Sequence, residues 1–319
     1  KKKKNSFNSV EELMFRIQLN YIREFNKHAI NAFVVGEATE RKNPTFSVDS
    51  KPTSNSLPLV RSSEFTNLGN GYSETSRAGF LGMVNYVFDD KYIIEVSGRY
   101  DGSYKFAKGN RWGIFPSFSA GWRLSEEEFM KDIPWIYNLK LRASWGQLGN
   151  ERIDLFRYVD LMNLKVIKND GSITDYNYPL NGAMQSGAAI TAYNDPNITW
   201  ETTTMTNVGI DASLLNGNLD FSFEFFDKRT SDILRKVTLP DQVGGPIRNI
   251  GEVSNKGFEL NMGYRNNIGD FRYEVNGNMT FIKNKIVSLK GQTIIDGMFI
   301  LEEGKPIDSY YMLHAIGIF

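Results

Sequence analysis

The sequence predicts an all-β protein, an antiparallel up-and-down transmembrane β-barrel of which about 11 strands are present. Three observations carry the prediction. Apolar and polar residues alternate with period two over long stretches, as in strands whose two faces meet different environments. The stretches exceed the about 5–6 residues usual in soluble strands and reach the about 9–11 that cross a bilayer at a tilt. The connections alternate between short and long, so every short turn falls at one end of the sheet, as in outer-membrane barrels.

The alternation is clearest over 91–101, where Tyr92, Ile94, Val96, Gly98 and Tyr100 share one face and Ile93, Glu95, Ser97, Arg99 and Asp101 the other. Over 111–124 the apolar set is Trp112, Ile114, Phe118, Ala120 and Trp122; over 139–145 it is Leu139, Leu141, Ala143 and Trp145, opposite Lys140, Arg142 and Ser144. Over 200–214, Val208, Ile210, Ala212 and Leu214 oppose Asn207, Gly209, Asp211 and Ser213. Strands are expected near 10–25, 28–42, 76–88, 91–102, 111–124, 138–149, 199–214, 219–234, 253–265, 271–288 and 307–319. The faces of 28–42 and 76–88 stay unassigned, because both sides carry apolar residues.

Short connections are expected at 26–27, 89–90, 215–218 and 266–270, with 125–138 among them. In the last, Ser125 and Glu128 have the spacing of a capping box that starts one helical turn. Long connections are expected at 43–75, 102–110, 150–198, 235–252 and 289–306. Asp101-Gly102-Ser103 reads as a turn. Aromatic residues at strand ends, Tyr92 and Tyr100, Trp112 and Trp122, resemble the two interfacial girdles of a membrane barrel. The alternative is a soluble sandwich whose polar face meets water.

Composition narrows the function classes. Lys+Arg and Asp+Glu are both 37, so the net charge is zero and no basic surplus exists for nucleic acid. There is no Cys, which excludes disulfide frameworks, Cys-ligated metals and Cys nucleophiles. The two His, His28 and His314, lie far apart, and no nucleophile–base pair or carboxylate dyad stands out, so no enzyme, metal or cofactor is expected. Aromatics make up 13% of the chain, a composition that fits β structure. Calcium would need an ordered acidic array, which Asp154, Asp160, Asp170 and Asp175 do not form.

The polar face nominates a lumen wall: Glu95, Arg99, Arg142, Glu201, Asp211 and Glu259. Arg99, Asp101, Arg111 and Arg123 are expected to pair across strands rather than bind ligand. Trp200 is read as an interface anchor. In the long connection 150–198, Tyr158, Tyr176, Tyr178 and Tyr193 are candidates for stacking on a substrate or partner, with packing inside the loop as the alternative.

Several segments resemble the SusC/RagA-like family of TonB-dependent transporters from Bacteroidetes-type outer membranes. They include Arg99-Tyr100-Asp101-Gly102-Ser103, Asn110-Arg111-Trp112-Gly113, Ser119-Ala120-Gly121-Trp122-Arg123, Leu139-Lys140-Leu141-Arg142-Ala143-Ser144-Trp145-Gly146, Asn197-Ile198-Thr199-Trp200-Glu201 and Asn249-Ile250-Gly251-Glu252-Val253-Ser254-Asn255-Lys256-Gly257-Phe258. They occur in the family's order between about 78 and 319. The resemblance implies a 22-stranded barrel with a plug, energy coupling to TonB, a SusD-like surface lipoprotein, and an oligosaccharide or peptide as cargo. It also places the protein in the outer membrane, in contact with lipid. On this reading residues 1–319 are a partial barrel domain, with plug, TonB box, early strands and final strands elsewhere. A passive pore or adhesin-type barrel, and a soluble carbohydrate-binding β-protein, are the competing functions.

Overall fold

Period-two alternation becomes, in the computed structural model, an eleven-stranded antiparallel sheet. The structure describes all residues except 1–2, 53–61, 164, 168–172, 176, 181–182, 238–244, 313–316 and 318–319. The sheet contains β1 (Lys3–Asn8), β2 (Glu11–Phe25), β3 (His28–Pro52), β4 (Ser62–Phe88), β5 (Tyr92–Ser103), β6 (Trp112–Arg123) and β7 (Ile136–Asn150). Six short strands then occupy the next connection: β8 (Leu161–Asn163), β9 (Lys165–Ile167), β10 (Ile173–Asp175), β11 (Asn177–Leu180), β12 (Ala183–Ser186) and β13 (Ala189–Ala192). The sheet resumes with β14 (Glu201–Leu214), β15 (Leu219–Lys236), β16 (Ile247–Ile268) and β17 (Phe271–Ser288), and a small sheet follows from β18 (Ile294–Asp296), β19 (Phe299–Leu301) and β20 (Ser309–Tyr310).

From β2 onward each long strand pairs with its chain neighbour, except that β7 pairs with β14 across the long excursion. The sheet is open: β2 and β1 form one edge and β17 the other. The eleventh strand is β1, which runs along β3 beyond β2 (Asn8↔Thr45, then Glu11↔Lys42), and not 307–319. Within 307–319 only Ser309–Tyr310 is strand, paired with β19; residues 313–316 and 318–319 lie outside the described set.

The expected long loop 43–75 is mostly ladder, since β3 and β4 stay paired from His28↔Phe88 to Pro52↔Ser62. Both faces of that extension are mixed in polarity, which hid it from a reading based on one apolar face. The excursion 150–198 is likewise not structureless. β8 pairs with β13 and encloses two hairpins, β9–β10 and β11–β12.

The short turns gather at one end. Asp89 and Asp90 both have positive φ, 51° and 54°, the backbone a two-residue hairpin requires if its twist is to match the strands. Gly217, at φ 82°, supplies the same freedom between β14 and β15. Between β6 and β7 the capping-box expectation fails. Two short 3₁₀ turns, Leu124–Glu126 and Glu128–Met130, carry no side-chain cap, and Ser125 Oγ donates instead to Asn138 Oδ1 at 3.3 Å.

The register sorts the side chains into two faces. The apolar face carries in-register rows such as Phe25–His28–Phe88–Tyr92–Trp122, whose adjacent rings lie 5.0–6.3 Å apart at the short-turn end. In the next row on the same face, Phe225, Phe258 and Phe281 align across β15–β17, in register with Val208, Ala143, Ala120 and Ile94, and toward the far end of β5 and the start of β6 Tyr100 stacks on Trp112 at 4.7 Å. Ile94, Val96, Phe118, Leu141, Ile210 and Leu260 all lie on this apolar face. The faces of β3 and β4 are settled too: Ile30, Val34, Val84 and Tyr86 join the apolar face, while Asn31, Glu37 and Asn85 join the polar one.

Candidate functional site

The polar face is built by the same register. Glu95 opposes Ser119, which opposes Ser144, one pleat from Arg142; Arg142 opposes Gly209, then Glu224, then Glu259. Arg99 is in phase with Glu95, and Asp211 and Glu201 are in phase with Gly209. All six residues nominated from the sequence therefore share this face.

Two ion-pair clusters organise it. Arg99 holds Asp101 through two bonds, Nε to Oδ2 at 2.9 Å and Nη2 to Oδ1 at 2.8 Å, and also reaches Glu37 Oε1 at 2.9 Å. Glu37 stands on β3, so this contact crosses β4 above Gly79, where a Cβ would come within 2.4 Å of Asp101 Oδ1. Arg142 donates from Nε to Asp211 Oδ2 at 3.0 Å and from Nη1 to Glu224 across β14. There Gly209 leaves the space: a Cβ would lie 2.9 Å from Arg142 Cζ. Each cluster places one guanidinium between two carboxylates, the planar donor geometry that satisfies such pairs. Asp101 accordingly closes a strand end as an ion-pair partner and not as a turn residue.

The other nominated groups are held differently. Asn85 Nδ2 donates to Glu95 at 3.3 Å. Glu201 accepts from Asn150 Nδ2 at 2.6 Å and from the Leu234 amide at 2.8 Å, which ties β14 to β7 and β15. Glu259 is exposed, faces Glu224 in register, and makes no hydrogen bond or ion pair among the described residues. Arg111 and Arg123 donate to backbone oxygens, of Phe106 and Asp90, rather than to charges.

A recess of about 660 Å³ opens on the polar face among Glu37, Arg41, Arg77, Arg99, Asp101 and Lys105. Its charges are largely engaged: Arg77 pairs with Glu151, Arg99 with Glu37 and Asp101, and Lys105 Nζ donates to the Glu151 carbonyl at 3.3 Å. The recess thus presents charges of both signs.

Trp200 borders this recess, and the expectation of an interface anchor is overturned. Its ring is only 8% exposed and packs with Phe106, Phe115 and Ile198 in a buried cluster, while its Nε1 donates to the Arg111 carbonyl at 3.1 Å. The cluster pins connection 104–111 onto the start of β14. It was missed because Phe106 and Ile198 lie outside any alternating stretch.

The four tyrosines of the excursion do not form one described cluster. Tyr158 is half-buried, its ring 6.5 Å from Phe156, and Tyr193 is exposed. They flank a neck closed by Asn194, whose amide donates to Asp160 Oδ1 at 2.8 Å and whose Nδ2 donates to the Val159 carbonyl at 2.6 Å. Tyr178 lies in β11 opposite Gln185, and Tyr176 lies outside the described residues. Among the described residues no three His, Asp or Glu side chains gather as a metal site.

Residues 5–307 match the family model described as TonB dependent receptor-like, beta-barrel. The TonB-dependent receptor P26 of Formosa agariphila is 35% identical over 232 residues, covering 72% of this chain and 22% of that protein. The TonB-dependent receptor SusC of Bacteroides thetaiotaomicron is 34% identical over 235 residues, again 72% of this chain and 22% of the relative. The chain thus spans less than a quarter of the length of these two relatives. Among solved structures, the RagAB peptide transporter superposes with a TM-score of 0.85 at 23% identity, over 100% of this chain and 35% of the other. The siderophore receptor PirA of Acinetobacter baumannii shares the fold more distantly, with a TM-score of 0.53 at 14% identity, over 87% of this chain and 37% of the other.

Proposed function

The chain belongs to the TonB-dependent receptor-like β-barrel family of the outer membrane, and from that premise we propose that it forms part of the wall of a transporter importing an oligomeric nutrient, a glycan or a peptide. The observation that carries the reading is the two-faced sheet. Its apolar face, which carries aromatic rows, meets lipid. Its polar face, with ion pairs closed across Gly79 and Gly209, lines an aqueous lumen. In lipid an unpaired strand edge costs several kcal/mol per exposed backbone group, so further strands complete a barrel, of 22 strands in this proposal. Import is coupled to TonB, and a SusD-like lipoprotein covers the outer mouth. The mixed-charge recess and the tyrosine-bearing excursion support a polar cargo.

The excursion beyond β7 is the proposed lid contact. Ordering its chain costs about 1–2 kcal/mol of backbone entropy per residue, a cost that local hairpins only partly offset and a bound partner can offset further. The test uses the full-length receptor with residues 161–192 replaced by a short Gly-Ser bridge, which keeps the Asp160–Asn194 neck. Lipoprotein co-purification and oligosaccharide or peptide uptake should both be lost while the barrel still inserts. Normal recruitment and uptake would remove the excursion from the mechanism. Uptake that persists without TonB would favour a passive pore.

A further inference from the structure

β4 outruns its neighbour on one side. β5 ends at Ser103, opposite Arg77, whereas β3 stays paired with β4 out to Pro52↔Ser62. Over 67–75 the strand therefore has a ladder on one edge and none on the other. The Tyr104 hydroxyl donates to the Glu74 carbonyl, which fixes the phase of the free edge. Leu68, Asn70 and Tyr72 turn both backbone groups outward, Glu74 turns its N–H the same way, and none of these groups makes a hydrogen bond among the described residues. Strands that complete a barrel join at β17 and at β2–β1, so closure leaves this edge as it is. The edge is also unguarded. No Lys, Arg or Pro occurs over 62–76, the residues that usually keep an exposed strand from pairing. On the polar face it shows only Gly69, Gly71, Ser73 and Thr75, so little stands in the way of another backbone.

The outer face of this extension adds an apolar surface. Phe7–Phe46–Asn70, Val48–Leu68 and Pro44–Tyr72 lie in register, and Phe7, Phe46, Leu68 and Tyr72 are all exposed. Lipid does not cover it. The charged row Glu11–Lys42–Glu74 separates it from the lipid face. Tyr72 stands about 40 Å above the short turn at the usual strand rise and tilt, beyond the about 25 Å of the hydrocarbon band. Apolar surface in water, beside unpaired backbone groups, is what an added strand covers. We propose that this edge is a strand-addition site for an extended segment of another protein at the cell surface, antiparallel to β4 and apolar at alternate positions. Its backbone pairs with Leu68, Asn70 and Tyr72. The residues opposite these three project onto the same face, so their apolar side chains extend the surface of Phe46, Leu68 and Tyr72. The segment belongs to a partner and not to cargo, because that surface lies on the outer side of the wall, away from the lumen. It is also separate from the excursion beyond β7. The inference goes beyond the transport reading, and loss of uptake leaves it untouched.

The experiment uses the full-length receptor in mild detergent, with a fluorescent decapeptide of alternating Val and Thr as probe, read by anisotropy. Pairing couples edge to face: the valines that meet the apolar surface are also the residues whose N–H groups meet β4. N-methylation of the valines should weaken binding at least about tenfold, while N-methylation of the threonines, which blocks the other edge, should change it by no more than about twofold. Asn70→Pro removes an outward N–H and no bond to β3, and should abolish binding. Leu68→Asp should weaken it severalfold, and Lys131→Gln in a short turn should leave it unchanged. Failure of wild type to bind the unmodified peptide, equal binding of the two methylated peptides, or unaltered binding by Asn70→Pro would overturn the proposal. So would equal competition by maltoheptaose, which would mark a sugar site, or entry of the bound peptide into cells, which would mark cargo. A receptor dimer dispersed by Asn70→Pro would overturn it as well, by marking self-pairing. The comparison of the two methylated peptides on wild type stands even if a variant fails to fold.

Discussion

Arg142 binds Glu224 across a strand to which neither residue belongs. Gly209 lies opposite Arg142 in one ladder and opposite Glu224 in the next, and its missing side chain is the channel through which the guanidinium passes. The same device recurs at Gly79, between Glu37 and Asp101.

Gly209→Ala tests this device. The new Cβ would lie 2.9 Å from Arg142 Cζ and 3.0 Å from the Phe223 carbonyl oxygen, so the arginine must leave Glu224. A loss of about 1–3 kcal/mol is expected from overpacking and the broken pair. Combined with Arg142→Ala, the second substitution should cost less than it does alone. Denaturant titration of the full-length receptor in vesicles measures both values, and strict additivity would show that Gly209 does not act through Arg142.

Residues on the two faces of the sheet should differ sharply in tolerance. Ile210→Arg places a charge on the lipid face near mid-membrane and should cost about 2–4 kcal/mol. Thr280→Arg, on the polar face and opposite Glu259, should be nearly neutral and supply that carboxylate with a partner. Similar costs for both substitutions, in the same titration, would mean that the faces are assigned the wrong way round.

Trp200→Ala should unlatch the connection 104–111. Deleting a buried indole costs about 3–5 kcal/mol. Here the loss falls on the cluster with Phe106, Phe115 and Ile198 rather than on the sheet. Limited proteolysis should show new cleavage within 104–111 and 151–160 while heat-modifiable gel mobility stays that of a folded barrel. Trp200→Phe, which loses only the bond to the Arg111 carbonyl and part of the ring, should be cut more slowly.

Acid should loosen the 124–135 turn first. The Tyr92 hydroxyl and then the Trp122 indole N–H donate to Glu127, holding its carboxyl below the ordinary 4.5 despite partial desolvation. A carboxyl lowered by folding contributes its stabilisation in full above the ordinary value and loses it as pH falls through the folded-state value. Hydrogen exchange of the 124–135 amides should therefore accelerate below about pH 4.5 in wild type. Glu127→Gln should exchange faster already at neutral pH and respond less to acid. An identical acid response in both proteins would show that Glu127 does not govern the turn.

The sequence by itself determined the class of the sheet, ten of its long strands and the sorting of residues such as Ile94 against Glu95 and Ile210 against Asp211. Strand periodicity is local and has only two phases, so a run of alternating residues carries that information wherever it occurs. It also carried the family resemblance, because the ordered motifs lie in the strands. The tertiary structure alone decided which charges meet. Arg142 and Glu224 are 82 residues apart, Arg99 and Glu37 are 62 apart, and each pair depends on the register of an intervening strand and on a glycine within it. It likewise buried Trp200, extended β3 and β4 beyond the lipid band where neither face is uniformly apolar, and left one edge of β4 unpaired over 67–75. Each outcome depends on contacts across strands, and a single strand's pattern specifies only the direction in which its side chains point, not what they meet.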